Sequence, residues 1–248
     1  GRIGYRIETP LEKEFARTEI EEIDELEGLR INGMVSHFAT SDEADSTYTN
    51  KQLSLFNDFY EELAGCGINV PMLCIANSAA IMNYPKTHFD AVRPGIILYG
   101  CYPSEEVDKM RLDLKPVMSV KAYIIHIKTV PAGTSISYGR KFVSERESKI
   151  ATISIGYADG YSRTLTGKAE VLVHGHRVPV VGSICMDQCM VDVGSEPKVK
   201  RWDEVCIFGT DAHDNTAQTL ADIAGTIPYE ITCGIHKRVP RIFINEDR

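Results

Sequence analysis

A handful of short stretches combine residue types and spacings that could do chemistry. Ser36-His37-Phe38-Ala39-Thr40 puts an imidazole at the end of an apolar, strand-like run. Sites form at that end of a strand in parallel α/β folds, although a histidine there also suits a satisfied core position. Ala76-Asn77-Ser78-Ala79-Ala80 turns from strand to helix. A helix start with a hydroxyl and unused N–H groups suits an anion, and plain capping uses the same residue types. Val92-Arg93-Pro94-Gly95-Ile96-Ile97-Leu98-Tyr99-Gly100 places a guanidinium beside an apolar run, where a charge needs a partner. Gly95 next to it lets a backbone approach a ligand closely. A further group is spread over Ser137-Tyr138-Gly139, Gly156-Tyr157-Ala158-Asp159-Gly160-Tyr161, Gly182-Ser183-Ile184-Cys185-Met186-Asp187-Gln188, Pro228-Tyr229-Glu230 and Arg238-Val239-Pro240-Arg241. Tyrosines in glycine-bounded turns are weak signals one at a time.

Other chemistries find little support. The seven cysteines are scattered without a CxxC pair, and Cys185 and Cys189 read as buried reduced thiols rather than a metal pair. The seven histidines form no HExxH, and His174-Gly175-His176 suits a hairpin turn. No metal is expected. The net charge is −8, and Lys198-Val199-Lys200-Arg201 is the one dense basic stretch. A nucleic-acid partner, which needs a cationic face, is therefore not expected. A basic pocket for a small anion remains compatible with an acidic protein. No apolar run is long enough to span a bilayer, and a cytoplasmic location is expected.

The elements that must position these residues change character along the 248-residue chain. Helix and strand alternate through the first part. A helix starts at Thr9-Pro10 and a strand runs from 30 to 38. An amphipathic helix covers 50–66, a short strand 70–75, and a small helix opens at Ser78. Short apolar pieces follow at 90–92 and 95–99. Such alternation implies parallel strands with crossovers. The second part is mostly β, with strands at 117–130, 149–155, 169–174, 177–181, 188–193 and 203–208 and one helix at 216–224. The fold class is therefore α/β plus all-β, divided into 1–115 and 116–248. The first part alone holds too few strand–helix units to close a barrel, so either the sheet is small and open or part of the protein lies upstream, and the start without a methionine favours the second expectation.

Taken together, HFATSDE, ANSAA, VRPGIILYG, SYGR, GYADGY, CMDQ, PYE and RVPRIF resemble the alanine racemase family in spelling, order and approximate spacing along the whole chain. These are fold-type III enzymes that use pyridoxal 5'-phosphate. The resemblance implies the C-terminal half of an eight-stranded α/β barrel followed by a mainly antiparallel β domain. Gly1-Arg2-Ile3-Gly4 matches a motif midway through the family's barrel. The early strands, the lysine that forms the Schiff base and a phosphate-holding tyrosine are then expected upstream, and this chain alone is expected to be inactive.

The implied roles follow residue by residue. Racemisation needs an electron sink, supplied by the cofactor, and bases on opposite faces of the α-carbon. Tyr138 matches the family's catalytic tyrosine, which acts across a homodimer with shared sites. A free phenol titrates near 10, far from neutral pH. His37 and Arg93 match a hydrogen-bonded chain behind it, and Arg93 also matches the residue facing the pyridine nitrogen. Ser78, Gly95, Ile96 and Tyr229 match contacts to the cofactor phosphate. Arg2 and the backbone of Met186 match contacts to the substrate carboxylate, and Tyr157 and Tyr161 match positions near the site entrance. Tyr229 favours alanine over serine, because serine-preferring relatives carry a smaller polar residue there. The expected activity is interconversion of L- and D-alanine for peptidoglycan. The alternatives are a serine racemase of the same fold, or a non-catalytic binding or assembly module.

Overall fold

The computed structural model describes residues 4–194, 198–209 and 215–244, and the chain falls into two compact units, Gly1–Leu114 and Lys115–Arg248. In the first unit, helix α1 (Pro10–Asp24) starts where the sequence can cap it. The Thr9 hydroxyl accepts from the Glu12 N–H at 3.3 Å, and the Glu12 carboxylate accepts from the Thr9 N–H at 2.9 Å. Pro10 costs nothing in the first turn, where no helical partner awaits its missing N–H. Helix α2 (Thr47–Gly65) buries Leu53, Phe56, Phe59 and Leu63 along one side, the stripe that its spacing requires. This stripe packs with Phe38, Ile68, Val70, Leu73 and Ile75 into the core of the unit. Lys13 and Arg17 of α1 both reach Glu62 of α2, at 2.7 and 3.7 Å.

The strands of this unit are far shorter than the apolar runs suggest. Among its described residues, only β1 (Met34–Val35) and β2 (Leu73–Cys74) form a ladder, parallel, pairing Met34 with Leu73 and Val35 with Cys74. Residues 90–92 join no strand, and 95–99 is not extended: Ile96–Tyr99 is a 3-10 turn. Short apolar pieces bounded by glycine fit either conformation, and periodicity cannot separate them. Here Gly95 leaves strand geometry and Gly100 closes the turn in the left-handed region at φ 76°. Helix α3 (Ser78–Asn83) follows β2, with Asn77 as its cap.

The second unit is built on a closed barrel of six strands. In chain order these are β3 (Val120–Val130), β6 (Ser148–Ile153), β7 (Glu170–Val173), β8 (His176–Val181), β9 (Cys189–Asp192) and β10 (Glu204–Phe208), with the two-residue pair β4 (Ser135–Ile136) and β5 (Phe142–Val143) lying between β3 and β6. Around the barrel the order is β10-β3-β6-β9-β8-β7, each contact antiparallel. Closure removes the exposed edges that an open sheet of these strands would carry. Alternate residues such as Val120, Ala122 and Ile124 turn inward, the period expected of half-buried strands. The β7–β8 hairpin turns on His174 and Gly175, both with positive φ, 51° and 80°; that geometry matches the right-handed twist of the strands. Helix α4 (Ala217–Ala224) is capped by Thr216, and α5 (Pro228–Gly234) was not evident in the sequence. None of the described helices is long and apolar enough to cross a membrane.

The barrel depends on its aliphatic filling, with Ile153, Ala151, Val171, Val191 and Val205 at 0% exposure. Ile153→Ala is expected to cost about 2–5 kcal/mol, the transfer loss plus the cavity left behind. A urea titration of the variant should show the corresponding fall in midpoint.

Candidate active site

In the first unit both strands point their C-terminal ends at one cation. The Arg93 guanidinium donates to the carbonyls of Ser36 at 2.6 Å, Cys74 at 3.0 Å and Ile75 at 3.4 Å, and to the Cys74 thiol sulfur at 2.8 Å. It also lies 3.2 Å from Nδ1 of His37. Arginine has no acceptor and keeps its proton, so Nδ1 of His37 must accept. The imidazole is then left with Nε2 as its donor, a tautomer set by its neighbour. The Arg93 backbone N–H donates to Ala76 at 2.9 Å, which fixes the chain beside the end of β2.

Two residues further on, the chain comes back to helix α3. The N–H of Gly95 donates to the Ser78 hydroxyl oxygen at 2.8 Å. That bond leaves the Ser78 proton available to donate elsewhere. Asn77 caps α3 by accepting from the Ala80 N–H at 3.0 Å, and it also accepts from the buried Ser41 hydroxyl at 2.8 Å. The first N–H groups of α3 and of the Ile96–Tyr99 turn lie outside the helical ladder, as at any helix start. Ser78, Gly95 and Ile96 are thus brought together, and so are His37 and Arg93. Cys74 was not singled out in the sequence, since a cysteine at a strand end gives no sign that it will meet a guanidinium.

The second unit gathers the other candidates on one loop. Residues 182–186 run between two turns. On one side, the Ser137 hydroxyl donates to Ser183 O at 2.7 Å, and the Ser183 hydroxyl donates to Tyr138 O at 2.9 Å. On the other side, Tyr157 N–H donates to Cys185 O at 3.0 Å and Ala158 N–H to Met186 O at 2.8 Å. Gly182, at φ +69°, would drive a Cβ to 2.7 Å from Ile136 O, so the approach of these segments depends on glycine. Tyr138 is 73% exposed and Met186 58% exposed. The Met186 carbonyl is the group used in holding the loop, which leaves its N–H out of that contact.

The GYADGY turn organises the C-terminal segment. Asp159 accepts from Gly156 N–H at 2.9 Å and from Arg238 Nε at 2.7 Å, and its carbonyl accepts from His236 N–H at 2.9 Å. Tyr229 sits in the first turn of α5, partly exposed. Tyr161 is buried, 2% exposed. Its hydroxyl has no hydrogen-bond partner among the described residues. Burial pushes the Tyr161 phenol and the Cys189 thiol well above their ordinary ranges. Arg2 lies outside the described residues.

The family model described as "Alanine racemase, N-terminal domain" matches residues 1–103, and "Alanine racemase, C-terminal domain" matches 117–243. "Alanine racemase 1" of Clostridium acetobutylicum is 52% identical over 245 residues, covering 98% of this chain and 62% of that protein. The alanine racemase of Clostridium novyi is 50% identical, again with 98% and 62% covered. Among solved structures, the alanine racemase of Clostridium difficile 630 in complex with cycloserine superposes with a TM-score of 0.90 at 42% identity, over 95% of this chain and 62% of that one. The Bacillus anthracis alanine racemase with bound L-Ala-P gives 0.90 at 38%, over 100% and 63%. The chain thus spans about three fifths of the length of the relatives that it matches.

Two predictions follow from this geometry. Arg93→Lys keeps the charge but loses the planar fork, so it should cost about 2 kcal/mol in a denaturant titration. The buried Cys189 and Tyr161 hold protons that the unfolded chain releases near their ordinary values of about 8.5 and 10. The folded state then binds more protons than the unfolded one, so stability falls as pH rises above about 8.5. Melting temperatures measured from pH 7 to 10 should show this decline, and Cys189→Ala should flatten its lower part.

Proposed function

The chain belongs to the alanine racemase family, and on that premise we propose that it serves the pyridoxal-phosphate-dependent interconversion of L- and D-alanine. The observation that carries the reading is the convergence of Arg93, His37 and the Ser78–Gly95 pair at the ends of β1 and β2. Family enzymes depend on pyridoxal phosphate, and the residues present fit such a group. The Ser78 hydroxyl has already accepted one hydrogen bond and has its proton left to give, beside the unused N–H groups that start two helical turns. A phosphate is matched by such donors. When bound, the cofactor supplies the electron sink for the α-carbon.

The chain's own residues then divide the work. Ser78, Gly95 and Ile96 hold the phosphate. Arg93 presents a cation to the pyridine nitrogen and cannot accept its proton. This makes the ring a poorer sink than an acidic partner would and restrains side reactions. His37, which accepts from Arg93 at Nδ1, keeps an Nε2–H to donate. Tyr138 moves the proton on one face of the α-carbon, and its exposure on a braced turn suits service to the site of a second copy in a homodimer. Arg2 of one copy and the Met186 backbone of the second copy contact the substrate carboxylate.

In the same reading, the first unit is the C-terminal half of an eight-stranded α/β barrel, spanning 1–115, and 116–248 is the β domain carrying the catalytic tyrosine. The activity would lie in the cytoplasm and supply D-alanine for peptidoglycan. The test is racemisation of L-alanine, followed by circular dichroism with added pyridoxal phosphate, by the complete protein that contains this chain. Tyr138→Phe is expected to lower kcat by roughly 10²–10⁴-fold while leaving the fold intact. A variant that races at the parental rate, or a parent that prefers L-serine, would overturn the assignment.

A further inference from the structure

The barrel unit contains a cleft of about 530 Å³ whose walls include Lys141, Arg163 and Lys168. The whole chain carries a net charge of −8, so three cations on one concavity run against its overall balance. None of the three has an ion-pair partner among the described residues. The acid that lines the same cleft, Asp192, is already engaged. It accepts from the Gly194 N–H at 2.9 Å, and it lies 4.0 Å from Nη2 of Arg146. Low-dielectric walls focus the field of such cations into the cleft.

The wall is held rather than loose. Thr166 N–H donates to Arg163 O at 3.2 Å, and the N–H groups of Lys168 and Ala169 both donate to Leu165 O at 3.1 Å. Leu165 itself is 1% exposed and anchors the turn in the core. Hydroxyls complete the donor set. The Thr166 oxygen accepts from Ile184 N–H at 3.2 Å, which leaves its proton to give, and Thr164 lines the cleft beside it. Arginine, lysine and hydroxyl donors on a braced turn are the groups that recognise tetrahedral oxyanions, Arg163 by its planar fork and the lysines as point charges.

We infer that this cleft binds a small multivalent oxyanion of the phosphate or phosphomonoester class. The inference rests on the barrel unit alone and does not depend on the racemase reading. It also has a consequence for Tyr138. Gly182 lines the cleft and packs directly behind Ile136 and Ser137, so an occupant presses on the backbone that carries the tyrosine.

The test is a titration of the full chain, labelled with ¹⁵N, with inorganic phosphate, against acetate at matched ionic strength. Saturable shifts are expected in the amides of 164–168 and Gly182, with smaller shifts at 137–139. Arg163→Ala combined with Lys168→Ala should raise the midpoint at least about tenfold, with an unchanged circular dichroism spectrum. The single variant Lys168→Glu should weaken binding in the same direction. Phosphate shifts confined to Ser78, Ala79, Gly95 and Ile96 would place the anion in the other unit and overturn the inference. So would an acetate midpoint equal to that of phosphate, which signals charge screening alone, or a double variant that binds as the parent does.

Discussion

The guanidinium of Arg93 is the constraint on which the first unit depends. Its parallel ladder consists of two residue pairs, too few to hold two strand ends in register by backbone bonds alone. Arg93 supplies what the ladder lacks, donating to the Ser36 carbonyl from one strand end and to the Cys74 and Ile75 carbonyls from the other. A charge withdrawn from water is costly unless its donors are satisfied, and here the satisfaction comes from backbone oxygens that cannot be mutated away. The same bonds settle the histidine: because arginine only donates, His37 must accept at Nδ1. Structural support and chemical state are thus imposed by one side chain.

The barrel unit solves a different problem, that of holding an exposed tyrosine in a defined place. Tyr138 is mostly in solvent, so packing of its ring cannot fix it. The backbone does so instead. Ser137 and Arg140 both take positive φ, 65° and 49°, a strain that persists only where neighbours over-determine it. The neighbours are Ser183, whose hydroxyl and carbonyl both bond to the 137–138 segment, and Gly182, which lets them approach. Loop 182–186 is pinned again on its far side by Tyr157 and Ala158. A closed barrel beneath provides the rigid base that such a chain of contacts needs.

What was legible in the sequence follows from range. The barrel strands fall within a few residues of their expected positions, because alternation is a local signal that burial on one face enforces. The His174-Gly175 turn and the caps at Thr9 and Thr216 were legible for the same reason. The strands of the first unit were overestimated, since an apolar run reports burial rather than pairing, and among the described residues only Met34–Val35 and Leu73–Cys74 pair there. Helix α5 escaped because seven residues between a proline and a glycine carry too little periodicity. At the candidate site, Arg93, His37 and Ser78 stood out by type and position. Cys74 and the carbonyl partners of Arg93 did not, since a carbonyl belongs to every residue and only the fold selects which ones converge. The burial of Tyr161 was not legible either, since a glycine-bounded turn carries no periodicity to report which side lies inward.

The disposition of the cations ties these observations together. In an acidic chain most cationic side chains are drawn into local work. Arg93 holds two strand ends, Arg238 pairs with Asp159 at 2.7 Å, and Arg241 donates to the carbonyls of Ile235, His236 and Val239, each at 2.6 Å. Lys13 and Arg17 converge on Glu62. Each of these has its donors taken up by carboxylates, carbonyls or other acceptors of the chain. Lys141, Arg163 and Lys168 differ, since they share a concavity whose carboxylate is bonded elsewhere. Surface charge scattered at random would be screened over about 8–10 Å and attract nothing in particular. Charge gathered on a braced turn with hydroxyl donors is preorganised, and a preorganised set of donors recognises geometry as well as sign.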